Sequence, residues 1–206
     1  MKLKLIIILF LLSNNCFSQL KSNIDSTLIS RIDSLKLEDQ KWRNLLTDFE
    51  NGVNINNFSK KFISENISKT DSLNYFELEK IIQKNGYPTI SRFGSTSSHN
   101  FWLMIQHQDK HIAFQEKVLL LMKEALLKNE VSGKDFAYLT DRVLVNKGEK
   151  QMYGTQMTLN KEQTSYEPKS LFDPEKVNER RMSVGLGPIE LYIQTMNNRY
   201  FGTLKK

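Results

Sequence analysis

Phe101-Trp102-Leu103-Met104-Ile105-Gln106-His107-Gln108-Asp109-Lys110-His111-Ile112-Ala113-Phe114-Gln115 is the stretch on which the fold turns. The run Phe101 to Ile105 is apolar all round, so it belongs at the centre of a core. Polar residues follow from Gln106 to His111; apolar character resumes at Ile112 and continues from Val118 to Leu127. On an unbroken helix, Met104, His107, His111, Gln115, Val118 and Met122 share one stripe, apolar at both ends and polar in the middle. A buried imidazole or amide left unpaired costs about 1–3 kcal/mol, so these residues must meet partners, water or a ligand. Two arrangements satisfy this. Either the stripe floors a pocket, or the chain breaks between two helices and Asp109 or His111 caps the second.

Toward the N-terminus, Ile24, Leu28, Ile32 and Leu35 recur at helical spacing and lead into Asp39 to Leu46, which predicts one or two amphipathic helices. Residues 51–70, rich in Asn, Ser and Lys, read as a long surface connection. A helix is expected from Leu73 to Lys84, stopped by Asn85-Gly86, and Tyr87-Pro88 then forces extended backbone. Ser91 to Ser98, around Gly94, reads as a loop. Toward the C-terminus, Ser132 to Asn146 is a helix with Ser132 and Asp135 at capping spacing and Gly148 as its stop. Gln151 to Leu159 favours strand and pairs with Thr164-Ser165-Tyr166 across Asn160-Lys161-Glu162. Asp173-Pro174 opens a further helix, Gly185 to Pro188 interrupts it, and Ile189 to Asn197 is a short final one. The fold class is mostly α (α+β): one helix-rich domain with a small β-hairpin near residues 151–167.

Lys2 and Lys4 precede the apolar run Leu5 to Leu12, which polar Ser13-Asn14-Asn15 ends. A membrane span needs about 20 apolar residues, so this is the pattern of a secretion leader. Cleavage after Ser18 divides the chain into a leader at 1–18, an N-terminal helical extension at 19–35 and a globular domain at 36–200. The expected location is periplasmic or secreted. Acylation at Cys16 is the rival reading, but lipoproteins usually carry small residues immediately before that cysteine. Cys16 is the only cysteine, so the cleaved domain would have no disulfide, thiolate metal site or cysteine nucleophile. The formal charge of +6 loses two with Lys2 and Lys4, and the remaining bases are interspersed with acids. That pattern argues against a nucleic-acid surface, and no membrane partner is expected beyond a lipid at Cys16. The expected partner is a small molecule or a peptide.

The three histidines, His99, His107 and His111, lie close together. His107 and His111 have the i, i+4 spacing of metal-binding helices, with Asp109 or Asp141 able to add a carboxylate. No second motif of matching geometry accompanies them, so neither a metal nor a cofactor is assigned. Arg142 can present its planar fork to an anionic ligand, or pair structurally with Asp39 or Asp173. Gly154, inside a predicted strand and among Tyr153, Thr155 and Gln156, marks close backbone or ligand approach. Arg180 and Arg181 diverge by about 100° on a helix, so at most one would face a given site.

Asp39-Gln40-x-x-Arg43, Gly86-Tyr87-Pro88, Gln106-His107-x-Asp109 with Phe114-Gln115, Ala137-Tyr138-Leu139-Thr140-Asp141-Arg142-Val143, Gln151-x-Tyr153-Gly154-Thr155-Gln156 and Arg180-Arg181-x-x-x-Gly185-Leu186 occur in this order. Jointly, across residues 36–196, they resemble an uncharacterised bacterial domain family of unknown function. The resemblance implies no activity. It does imply a shared polar signature: Asp39, Gln40, Arg43, His107, Asp109, Gln115, Asp141, Arg142, Tyr153, Thr155 and Gln156. Two departures matter. His111-Ile112 stands where the family often has Asp-Pro, which favours a helix break near 111, and Phe172 stands where Glu is usual.

Three functions compete for this signature. In a hydrolase or transferase, His107 is the general base, oriented by Asp109 or Asp141, and these three are the candidate catalytic residues. Gln40, Arg43, Gln115, Arg142, Tyr153, Thr155 and Gln156 are then the candidate ligand-binding residues. In a non-catalytic domain the same groups line a binding pocket. In the third case they form a buried hydrogen-bond network that fixes helix packing.

Overall fold

The computed structural model describes residues 26–53 and 57–202; the segment 1–18 expected as a leader and the first part of the expected 19–35 extension lie outside the described residues. The elements are α1 (Lys2–Glu50, described from residue 26), α2 (Lys60–Asn85), α3 (Ile90–Gln106), α4 (Ile112–Leu126), α5 (Gly133–Asn146), β1 (Met157–Leu159), β2 (Tyr166–Pro168), a 3₁₀ turn (Pro174–Lys176), α6 (Val177–Ser183) and α7 (Ile189–Phe201). The mostly α class with one antiparallel hairpin is therefore observed. Among the described residues no helix is long and apolar enough to cross a membrane.

The apolar run Phe101 to Ile105 does sit at the centre: Phe101, Met104 and Ile105 are fully buried, packed with Leu78, Val118, Met122 and Leu139. Ile32 and Leu35 of α1 belong to the same cluster, so the helix read as an extension contributes to the core. α1 packs on α2 and α3, and α4 on α5.

Three local expectations differ from the structure. The predicted connection at 51–70 is cut short, because Ser59 accepts from the amide of Phe62 at 3.2 Å and starts α2 at Lys60. Its apolar residues are too sparse among Asn, Ser and Lys to stand out, yet Ile63 is buried. The predicted loop at 91–98 is helical on both sides of Gly94, whose φ of 77° and ψ of 159° confine the irregularity to one residue. Strand is limited to Met157–Leu159, with Met157 opposite Pro168 and Leu159 opposite Tyr166, because the preceding amides are taken by a side chain.

That side chain is Asp141, fully buried on α5. Its carboxylate accepts from the amides of Met152 (2.7 Å), Tyr153 (2.9 Å) and Thr155 (2.8 Å) and from the Thr155 hydroxyl (2.9 Å). Gln151, also fully buried, donates to the carbonyls of Gln156 and Lys169 and accepts from the Gln156 amide. Arg180 Nε donates to Met152 O and Arg181 Nη1 to Tyr153 O, both at 2.7 Å. The two arginines thus converge on successive carbonyls of one loop, contrary to their expected divergence; the length of the side chains overcomes the turn of the helix. Gly154 has φ of 68°, and a Cβ there would lie 2.4 Å from Ile189 Cδ1, so the close approach is to α7.

Asp141→Asn replaces an acceptor with an amide that cannot satisfy all of these donors. We expect a loss of about 3 kcal/mol in guanidinium unfolding, with Thr155→Val costing about 1 kcal/mol. An Asp141→Asn protein as stable as wild type would contradict the loop's dependence on this carboxylate.

Candidate functional site

The stripe of α1 that enters the core runs Leu28, Ile32, Leu35 and then Asp39, at the helical spacing where a fourth apolar residue is expected. Asp39 is 1% exposed. A carboxylate this deep must be paired and hydrogen-bonded. It is: Oδ1 meets His107 Nδ1 at 2.9 Å, and Oδ2 accepts from Gln40 Nε2 at 2.7 Å. One helical turn on, Arg43 Nε lies 3.4 Å from Oδ2, within ion-pair range. Arg43 Nη2 donates to Asp71 Oδ1 on α2. Five side chains from α1, α2 and the end of α3 are thereby linked.

His107 can reach Asp39 because α3 stops at Gln106 and the chain turns before α4. The break resolves the choice left open by periodicity. His107 N bonds Met104 O, and His111 N bonds Gln108 O. Gln115, fully buried, donates to Ile105 O at 3.0 Å and so satisfies a carbonyl at the end of α3. His111 precedes α4 but makes no side-chain cap; its ring stacks on Tyr75 with centroids 3.6 Å apart.

The turn and α2 enclose a cavity of about 230 Å³. Ser64, Ser68, Asp71 and Ser72 form its α2 wall, and His107 to His111 the wall opposite. With Nδ1 committed to Asp39, Nε2 is the nitrogen His107 has for the cavity. Asp109 lies at the rim, clamped by Arg142 through two bonds of 2.7 and 2.6 Å and by Asn146 at 2.8 Å. The fork of Arg142 is therefore spent on Asp109. This pins the turn that carries His107 to α5.

The carboxyls respond differently to their settings. Burial pushes Asp39 up, but the hydrogen bond and charge of His107, with Arg43 and Gln40, outweigh it and hold the group below its ordinary value. At Asp71 burial prevails over Arg43, and the group sits above its ordinary value. Asp109 is held low, since Arg142 and Asn146 overcome burial. Asp141 is raised, burial outweighing its donors from Thr155, Tyr153 and Met152.

The polar signature thus divides. Gln40, Arg43 and His107 gather around Asp39, with His107 and Asp109 lining the cavity, Arg142 bonded to Asp109 and Gln115 beneath the turn. Asp141, Tyr153, Thr155 and Gln156 lie together in the loop lock. The carboxylate at His107 is Asp39, which the sequence places in the shared signature but not as the orienting acid. Asp71 carries no signal in the sequence, where it falls just before the helix expected from Leu73; the structure places it on α2. Asp39, Asp71 and His107 are also the one group among the described residues with the composition and proximity to hold a metal ion, their donor atoms lying within 4.8 Å of one another. It differs from the His107–His111 spacing. A second pair, His99 Nδ1 with Asp135 at 2.9 Å, lines a separate cavity beside Ser95, Ser98 and Ser132.

No curated protein and no solved structure matches the chain. A family model does match, over residues 34–205, a span that contains every residue of both polar clusters. The chain belongs to that family, DUF6624, a family of unknown function.

Proposed function

We propose that the cavity beside His107 binds a small polar or anionic molecule and that His107 acts there as general base in its hydrolysis, positioned by Asp39. The hydrogen bond between the buried Asp39 carboxylate and His107 Nδ1 carries this reading. It fixes the tautomer that leaves Nε2 as an acceptor toward the cavity. A water held there gives its proton to Nε2 as its oxygen attacks the substrate. The imidazolium faces Asp39 and then passes the proton to the leaving group, as in hydrolases that pair histidine with a buried acid.

The surroundings suit such a substrate. Lys110, whose Nζ bonds Ser68 Oγ at 3.1 Å across the cavity, can be drawn to an anionic group. Serine hydroxyls on α2 offer donors and acceptors. A cavity of about 230 Å³ holds a small molecule rather than a peptide segment. The leader read at residues 1–18 would put this chemistry in an exported protein. For Asp141, Thr155 and Gln156 we favour the network reading, because their hydrogen-bonding capacity is directed to the 151–156 loop.

The test is a screen of chromogenic carboxylic esters, phosphate esters and glycosides, followed by variants on whichever class is cleaved. His107→Gln should reduce kcat by about 10²–10⁴-fold, the span of general-base contributions. Asp39→Asn should also reduce it, and Arg142→Lys should reduce it to a smaller extent, by loosening the turn that presents His107. Hydrolysis by His107→Gln at the wild-type rate, or no cleavage of any class, would refute the proposal.

A further inference from the structure

We infer that Asp39, Asp71 and His107 also form a binding site for one divalent cation of the zinc type, and that loading it displaces Arg43 and removes His107 from its role as base. The inference rests on the reading of His107 given above and concerns how that site is controlled.

Three observations support it. First, the donor set is two carboxylates and an imidazole, each carried by a different helix or helix end, with donor atoms no more than 4.8 Å apart. Ligands at about 2.1 Å from one zinc ion lie roughly 3–4 Å from each other, so small side-chain adjustments close the site. Second, Asp71 and His107 line the cavity, which leaves a face for water or a ligand on the metal.

Third, Arg43 fits its present position incompletely. It bonds Asp71 through Nη2, but its Nε is buried without a hydrogen-bond partner, close to Asp39 Oδ2 yet outside bonding geometry. Neither carboxylate receives the two-pronged fork that arginine makes in strong pairs. One guanidinium also leaves the two carboxylates with a net negative charge. A dication neutralises both, and Arg43, one quarter exposed, has solvent to move into. Imidazole in the donor set favours zinc over magnesium or calcium, which prefer oxygen alone. A neutral imidazole with one nitrogen on the ion carries its proton on the other, so the loaded form holds no free base. Zinc is thus an inhibitor of the hydrolysis proposed above.

The test is calorimetric titration of the chelator-treated full chain with zinc chloride, with magnesium and calcium chloride for comparison. The expected result is uptake of one zinc ion per chain. Asp71→Asn and His107→Gln should each weaken it at least tenfold, and Arg43→Gln should tighten it at least tenfold by removing the competitor. Asp71→Asn keeps an acceptor for Arg43, and melting curves establish that each variant is folded. Absence of zinc uptake by wild type overturns the inference, as does uptake unchanged in both ligand variants, which would put the ion at His99 and Asp135 or on the surface. Weaker binding by Arg43→Gln overturns the displacement, and full hydrolysis by zinc-loaded wild type overturns the inhibition. The base reading fails separately, by hydrolysis in metal-free His107→Gln.

Discussion

One buried carboxylate organises the cavity side of this domain. Asp39 occupies a core-facing position of α1, where its charge is tolerable only with partners close at hand. His107, Gln40 and Arg43 supply them. For His107 to do so, the apolar helix through Phe101 to Ile105 must stop at Gln106, and the turn that follows must be held in place. Gln115 satisfies the end of α3 from beneath, while Arg142 and Asn146 grip Asp109 from α5. Much of the polar chemistry in this half of the molecule follows from pairing that one group.

The second buried carboxylate, Asp141, has a different employment. Its partners are backbone amides of a loop, and the loop is held from the other side by Arg180 and Arg181. Gln151 closes the same loop on itself and on the segment after β2. A loop bonded in this way offers few vacancies to a ligand and considerable rigidity to α5, on which Arg142 also stands. The two clusters therefore belong to one chain of support. The lock fixes the end of α5, α5 fixes Asp109, and Asp109 fixes the turn that presents His107.

Much of this was legible in the sequence. The apolar run at 101–105 identified the core, and the break after it was one of two readings that polar Gln106 to His111 allowed. Capping at Ser132 and the stop at Gly86 were local signals, and local signals transfer well. Less legible were features set by distant partners. Periodicity on α1 marks Asp39 as a polar residue on an apolar stripe, but nothing in spacing says that His107, 68 residues later, will meet it. Asp109 and Asp141 were nearer in sequence to His107 and drew the assignment of orienting acid. The strand tendency of Gln151 to Gln156 is overridden because Asp141 takes the amides a ladder would use. Asp71 is marked only by the fold, since α2 begins in a stretch whose composition resembles a loop.

The central claim is that Asp39 fixes His107 with its proton on Nδ1 and with Nε2 open to the cavity. Nitrogen-15 NMR of the metal-free protein, labelled at histidine, reads this directly. With the ring neutral, Nδ1 should resonate as a protonated nitrogen and Nε2 as an unprotonated one, and Asp39→Asn should shift the ring toward a mixture of the two tautomers. A His107 that carries its proton on Nε2, or whose two nitrogens are unaffected by Asp39→Asn, would contradict the account.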